Sequence, residues 1–291
     1  MPDGKAIFVF WNVDHGHATY VNSPNDRHIA VDLGTGRIGS GQDFHPLRHL
    51  HRNGVERLDH LCITHPHRDH IDDILNVEDV RPKVFHRPHH LDREDVFPDE
   101  IQEGDREKYE KYMDYDETYV HPVSDRNDIS NPDAFGGLRA QFFTPPGTSA
   151  CNLNNHSMVA VFHVAGRKVV VPGDNEADSL DGLMGHSSFQ RAVEEADILL
   201  APHHGRKSGY HEDFVEHVDP TLTVVSDGRY SDTSETAQYS HQSSGMTVER
   251  DDGSTVSRNV VTTRNDGVIS ATVSSIGSLN VGIKPTSKME R

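Results

Sequence analysis

The chain has 291 residues, 34% of them hydrophobic, and its 28 Lys and Arg stand against 46 Asp and Glu for a net charge of −18. That length suits one large domain or two small ones, and the acidity excludes a broad electrostatic grip on a nucleic-acid backbone, which needs Lys and Arg along its path. Two cysteines, Cys62 and Cys151, exclude a disulfide framework, and no apolar run nears the roughly 18 residues of a membrane span.

The opening Met1-Pro2-Asp3-Gly4-Lys5 has no charged-then-apolar leader pattern, so a soluble, cytoplasmic chain is expected. Runs rich in Val, Ile, Phe and Thr, bounded by Gly, Pro, Asn or Asp, predict strands over 6–11, 28–33, 58–64, 138–144, 158–164, 168–172, 198–201, 221–226, 259–263 and 268–273. Helical patterns fall between them at 44–53, 69–77, 177–196 and 212–218. Gly166 marks a hairpin turn. Helices interspersed among paired strands predict an α/β fold, sheets covered by helices in layers. One domain over 1–291 is expected, with no linker convincing enough for a boundary. Residues 87–128 read as a charged, tyrosine-bearing insertion, where Tyr109, Tyr112 and Tyr119 share one face of a half-buried surface helix. Residues 231–258, rich in Ser, Thr and Gly, read as a mobile loop.

The chemistry concentrates in Thr64-His65-Pro66-His67-Arg68-Asp69-His70, directly after an apolar strand. Imidazole nitrogen and carboxylate oxygen are the donors that Zn²⁺ and similar divalent ions take. His65 and His67 point to one side of an extended segment, and Asp69 and His70 fall where a helix begins, so two pairs of donors can serve two neighbouring metals. Three further sets sit at strand ends. Val169-Val170-Val171-Pro172-Gly173-Asp174 delivers a carboxylate able to bridge, Ala201-Pro202-His203-His204-Gly205 delivers two imidazoles, and Asn12-Val13-Asp14-His15-Gly16-His17 follows the first strand. Asn154-Asn155-His156-Ser157 leads into another strand. Polar sets gathered along one sheet edge are how layered folds build active sites.

In this order the motifs resemble the metallo-β-lactamase superfamily, and within it the ComEC/Rec2-like branch. The matching pieces are Val13-Asp14-His15-Gly16-His17-Ala18, Ala30-Val31-Asp32-Leu33-Gly34, the 64–70 run, Asn154-Asn155-His156-Ser157, Pro172-Gly173-Asp174-Asn175-Glu176, Pro202-His203-His204-Gly205, and Thr263 with Asp266-Gly267, spanning about 6–274. The resemblance implies an αββα sandwich of two mixed β-sheets flanked by helices, with one or two metals in a cleft. It implies His65 and His67 on one metal, Asp69 and His70 on the other, Asp174 bridging, and His203 in preference to His204 completing the set. Asn154 or Asn155 stands where the superfamily often has a histidine, and His156 lies beside it. His17 stands where Asp is frequent and is a candidate substrate contact, as are Asn155, His156 and Arg206. A membrane channel often accompanies this branch, and no segment for one is visible here.

The implied activity is metal-assisted hydrolysis with two divalent ions, Zn²⁺ or Mn²⁺, ionising a water. Asp69 is expected to orient that water, and His204, His156 or His17 to protonate the leaving group. A phosphodiesterase or nuclease acting on DNA or a nucleotide heads the expectations, with Arg68, Arg206, Lys207 and Arg229 as local phosphate contacts. The alternatives are hydrolysis of a carboxylic ester, lactone or amide, and a non-catalytic metal-binding or partner-binding module.

Overall fold

The structure is a computed structural model describing residues 4–38, 41–98, 100–146, 152–228 and 233–286; Cys151 and Arg229 lie outside the described residues. In chain order the strands are β1 (Ala6–Phe10), β2 (Thr19–Asn22), β3 (His28–Val31), β4 (Gly36–Ile38), β5 (Gln42–Phe44), β6 (His60–Cys62), β7 (Val84–His86), β8 (Arg139–Phe143), β9 (Val159–Val164), β10 (Arg167–Val171), β11 (Ile198–Leu200), β12 (Leu222–Val225), β13 (Met246–Arg250), β14 (Thr255–Arg258), β15 (Val260–Thr262), β16 (Val268–Val273) and β17 (Leu279–Lys284). The helices are α1 (Pro46–Arg52), α2 (Arg68–Ile71), α3 (Arg93–Val96), α4 (Arg106–Thr118), α5 (Ala177–Met184), α6 (Ser187–Val193), α7 (Glu212–Val218), α8 (Thr236–Gln242) and α9 (Thr263–Asp266).

A nine-stranded sheet runs β14-β13-β17-β16-β1-β2-β3-β6-β7, and a six-stranded sheet runs β15-β12-β11-β10-β9-β8. Both are mixed: β3, β6 and β7 pair in parallel, as do β10, β11, β12 and β15, while β1, β2 and β16 pair antiparallel. The alternation in β1 sends Ala6, Phe8 and Phe10 inward and leaves Ile7 partly exposed. Ile198, Leu199 and Leu200 of β11 are buried on both faces, as a central parallel strand requires.

The core between the sheets joins Phe8, Phe10, Val21 and Ile29 to Phe162, Val169, Leu200 and Val224, with the Phe8 and Phe162 rings edge to face at 5.7 Å. Each such side chain contributes about 1.5–3 kcal/mol over exposure. A second cluster packs α1, α4 and the 3-10 helix Ile74–Val80 on the outer face of the larger sheet, and a third packs α5, α6, α7 and α8 on the smaller. The layers are therefore α, β, β, α, as predicted.

Several elements differ from expectation. The helix predicted over 69–77 is the short α2 followed by the 3-10 helix Ile74–Val80. The helix predicted over 177–196 is two helices, because the chain turns extended at His186 (φ −109°, ψ 115°). Within the loop predicted over 231–258, residues 236–258 form α8 and the β13–β14 hairpin, whose alternation buries Val248 between exposed polar neighbours. The tyrosines of the 87–128 segment pack inward: Tyr109, Tyr112 and Tyr115 lie in the cluster beneath α4. The hairpin at 165–166 has both turn residues at positive φ, 48° and 78°, the arrangement that matches strand twist. Among the described residues no helix is long and apolar enough to cross a membrane.

Candidate metal centre

The chemistry-bearing residues converge at one edge of the sandwich. His65 follows β6, Asp174 follows β10, His203 and His204 follow β11, Asp32 follows β3, and His15 and His17 lie between β1 and β2. The approach is close enough to dictate residue type at Gly16. Its φ is +138°, and a Cβ there would sit 2.5 Å from the Asp69 carbonyl oxygen, so only glycine lets the two loops meet. Gly173, at φ +63°, likewise admits Ser157 and Thr64, which a Cβ would approach to 2.8 and 2.9 Å.

Asp69, His70, Asp174 and His204 form one group, with a donor atom from each lying within 4.8 Å of all the others. His70 Nε2 is 3.2 Å from Asp174 Oδ1, and His204 Nε2 is 3.2 Å from Asp174 Oδ2 and 3.5 Å from Asp69 Oδ2. Both Nε2 atoms are buried and have no hydrogen-bond partner. Two donors each about 2.1 Å from a common ion can be at most about 4.2 Å apart, and these separations lie inside that limit. Two imidazoles with unmatched nitrogens facing two carboxylates fit a divalent cation.

The other ring nitrogens are fixed from behind. Asp32, itself at φ 58°, is fully buried and accepts four hydrogen bonds: from His70 Nδ1 at 2.8 Å, His17 Nδ1 at 2.9 Å, the Thr64 hydroxyl at 2.8 Å and the Thr64 N–H at 2.7 Å. His204 Nδ1 donates to the Ser226 carbonyl at 3.0 Å, and the Ser157 hydroxyl accepts from the Asp174 N–H at 3.0 Å. Such contacts fix the tautomer that leaves Nε2 toward the ion. His203 and His204 stand at φ 47° and 56°, and this unusual backbone aims the two rings apart.

The charges follow from these contacts. Burial pushes the Asp32 carboxyl up, but His70 and His17 outweigh it and hold the group below the usual range. Burial lowers His70, and Asp174 and Asp32 more than reverse it, raising the ring well above its ordinary value. The same contest at His204, with Asp174 and then Asp69 opposing burial, lifts it to about 9. His15 goes the other way, to about 4, through burial and the neighbouring His204. A neutral His15 is what the Arg206 guanidinium needs, since its Nη2 donates to His15 Nε2 at 3.0 Å.

The expected residues fall into three groups. His65 and His67 pair through Nε2 and Nδ1 at 2.9 Å, and the His65 ring centre lies 4.2 Å from that of His70, so they flank the four-residue group. Of the two paired histidines, His204 lies in the group, while His203, the one preferred from the sequence, has Nε2 3.9 Å from Asp174 and Nδ1 3.2 Å from Glu176. The remaining candidates are used elsewhere. His17 is buried with Nδ1 on Asp32 and Nε2 accepting from Thr19 at 2.7 Å, which leaves no nitrogen for a substrate. Asn155 Oδ1 accepts from the Glu176 N–H and the Ser179 hydroxyl, so it shapes the loop. His156 shares a hydrogen bond with His90 at 2.7 Å. Arg68 pairs with Asp72 and Asp105.

Asp32, His15 and Glu176 fall inside motifs visible in the sequence that assign them no role, Ser226 closes a predicted strand, and Asp227 belongs to no motif. All but Glu176 lie in short polar segments directly after an apolar strand, the position that revealed Asp174. A cleft of about 850 Å³ opens beside Asp69 and His15, and its walls mix Arg37, Arg48, Arg68, Lys108 and Arg264 with Asp14, Asp43, Asp72 and Asp227.

No protein-family model matches the chain. It is 22% identical over 231 residues to ComE operon protein 3 of Bacillus subtilis (strain 168), covering 75% of this chain and 28% of that one. It is 25% identical over 228 residues to Recombination protein 2 of Haemophilus influenzae, covering 76% and 25%. The chain thus spans about a quarter of the length of these relatives. Among solved structures it is similar to the metallo-beta-lactamase fold protein YhfI from Bacillus subtilis, at 13% identity and a TM-score of 0.43, over 78% of this chain and 88% of that one. With its αββα layers, its His-x-His-x-Asp-His run at the sheet edge and these sequence matches, the chain resembles the metallo-β-lactamase superfamily and, within it, the ComEC/Rec2-like branch.

Proposed function

We propose that the chain is a metal-dependent hydrolase and, more narrowly, a phosphodiesterase acting on a nucleotide or nucleic-acid strand. The observation that carries this reading is the Asp69–His70–Asp174–His204 group with its two unmatched imidazole nitrogens; through Asp69 it borders a cleft in which Arg37, Arg48, Arg68, Lys108 and Arg264 stand among Asp14, Asp43, Asp72 and Asp227. Guanidinium and ammonium groups are what a phosphodiester needs beside it, whereas a neutral ester or lactone does not call for them.

Asp69, His70, Asp174 and His204 would hold one divalent ion, and His65 and His67, beside Asp174, would hold a second. Bound there, Zn²⁺ or Mn²⁺ supplies a water acidic enough to attack at neutral pH and offsets charge on the phosphoryl oxygens. The protein's part is positioning. Asp32 and Ser226 keep the His70 and His204 rings in the tautomer that presents Nε2, and Asp69 would orient the attacking water. His203, steadied at Nδ1, which faces Glu176 at 3.2 Å and donates to the Ser208 hydroxyl at 2.9 Å, presents Nε2 toward the centre and is the proton donor for the leaving oxygen. This moves the acid role from His204, which the ion would occupy, to its neighbour. The name of one relative, Recombination protein 2, favours a DNA-related substrate.

The test is a substrate panel with Mn²⁺ or Zn²⁺ present: bis(p-nitrophenyl) phosphate against p-nitrophenyl acetate and a lactone. Turnover of the phosphodiester at least a hundredfold above the esters is expected. Turnover of the carboxylic esters alone would move the assignment to acyl hydrolysis, and none on any member would leave a metal-binding module.

A further inference from the structure

Asp227 is the unexplained group beside the centre. It follows Ser226, whose carbonyl holds His204, and its side chain lines the cleft that also contains Asp69. The residue is only 4% exposed, yet no other side chain donates a hydrogen bond to its carboxylate, which meets only backbone N–H groups and the Arg264 guanidinium and so keeps acceptor sites open. Its ion-pair partner is Arg264, with Nη1 3.2 Å from Oδ2.

Three other buried carboxylates are filled by side-chain and backbone donors. Asp32 takes four donors, Asp73 takes the Leu47 N–H, His45 and Asn76, and Asp59 takes Arg27, Lys83 and the His28 N–H. Leaving a buried acceptor open is unfavourable, and proteins seldom do it without a ligand or a role to match. The wall beside Asp227 is closely packed: at Gly228 a Cβ would sit 2.5 Å from the Asp14 carbonyl carbon, so the 227–228 and 14–15 loops press together. An open carboxylate beside a partly exposed guanidinium matches a ligand that carries hydrogen-bond donors next to an anionic group.

We infer, on the strength of the phosphodiesterase reading, that Asp227 and Arg264 form a nucleoside subsite of the centre. Asp227 accepts from donors on the sugar or base, and Arg264 faces the adjacent phosphate. A nucleotide is then preferred over a simple phosphoester because it alone fills the open acceptors. Two chemical sources supply suitable donors, the vicinal hydroxyls of ribose and the N1–H and amino edge of guanine.

The experiment is equilibrium binding of inorganic phosphate, GMP, dGMP and UMP to the metal-loaded protein, in wild type and in Asp227→Asn. Nucleotides are expected to bind at least tenfold more tightly than phosphate in wild type, and the variant to lose most of that gain. A gain for GMP and UMP but not dGMP assigns the ribose hydroxyls, and a gain for GMP and dGMP but not UMP assigns the guanine edge. A uniform gain lost in the variant assigns the 3′-hydroxyl common to all three. Equal affinity for GMP and phosphate in wild type overturns the inference and needs no folded variant to do so; a gain that survives Asp227→Asn in protein of unchanged melting temperature also overturns it. Wild-type hydrolysis of bis(p-nitrophenyl) phosphate, which carries none of these donors, decides the underlying phosphodiesterase reading separately.

Discussion

Asp32 shows how the centre is held. Its two oxygens collect hydrogen bonds from His17, His70 and both donors of Thr64, so the His70 ring has one orientation available. Asp32→Asn replaces an acceptor with a donor that faces His70 Nδ1–H. Metal affinity is expected to fall 10–100-fold, measured by competition with a chelating dye; affinity equal to wild type would contradict this supporting role. The two adjacent histidines separate in the same assay. His204→Ala is expected to lose bound metal, whereas His203→Ala keeps its metal and loses turnover by 10²–10⁴-fold. The reverse pattern would restore the preference for His203 as ligand. The 65–70 run was legible in the sequence because four donors stand within six positions. Asp32 and Asp227 were not, since a single acid after a strand is also an ordinary turn-former, and only its partners across the fold distinguish the two.

Helix α4 carries the same lesson for the secondary structure. Its tyrosine spacing placed Tyr109 and Tyr112 on a shared face, and the structure buries that face against Phe85 and the outer side of the larger sheet. Tyr112 is 1% exposed and its hydroxyl has no hydrogen-bond partner. Tyr112→Ala is expected to destabilise the fold by about 3–5 kcal/mol in urea unfolding, by cavity formation, whereas Tyr112→Phe is neutral or mildly stabilising. A large loss in Tyr112→Phe would show that the hydroxyl is paired. Strands with continuous Val, Ile and Leu, such as β10 and β11, were readable directly. β2, β7 and β17 were missed because Thr, Asn, His and Gly dilute short segments, and their place is set by neighbouring strands. The β13–β14 hairpin was hidden by Ser, Thr and Gly content, although its alternation is regular.

Across the sandwich, histidines also serve as neutral core residues, and this makes stability depend on pH. His60 is buried with neither ring nitrogen hydrogen-bonded, stacked at 5.6 Å on both Phe142 and His86. Burial, then the neighbouring His86, pulls it from 6.5 to about 3. The folded ring stays neutral while the unfolded ring takes a proton, so its contribution is intact above pH 6.5 and declines as pH falls toward 3. The slope is about 1.4 kcal/mol per pH unit for one such group. His60→Phe is expected to flatten the urea-derived stability curve between pH 6 and 4 by about that slope; curves parallel to wild type would show that His60 does not carry it.

The central claim is that strand-end donors from distant parts of the chain make one metal-dependent hydrolytic centre, with Asp174 shared between its halves. It is tested most directly by measuring bound metal and Mn²⁺- or Zn²⁺-dependent cleavage of bis(p-nitrophenyl) phosphate in wild type and Asp174→Ala side by side. Cleavage by wild type, with loss of both metal and turnover in a variant that keeps its secondary structure, is the expected result. Turnover retained in Asp174→Ala would contradict the account.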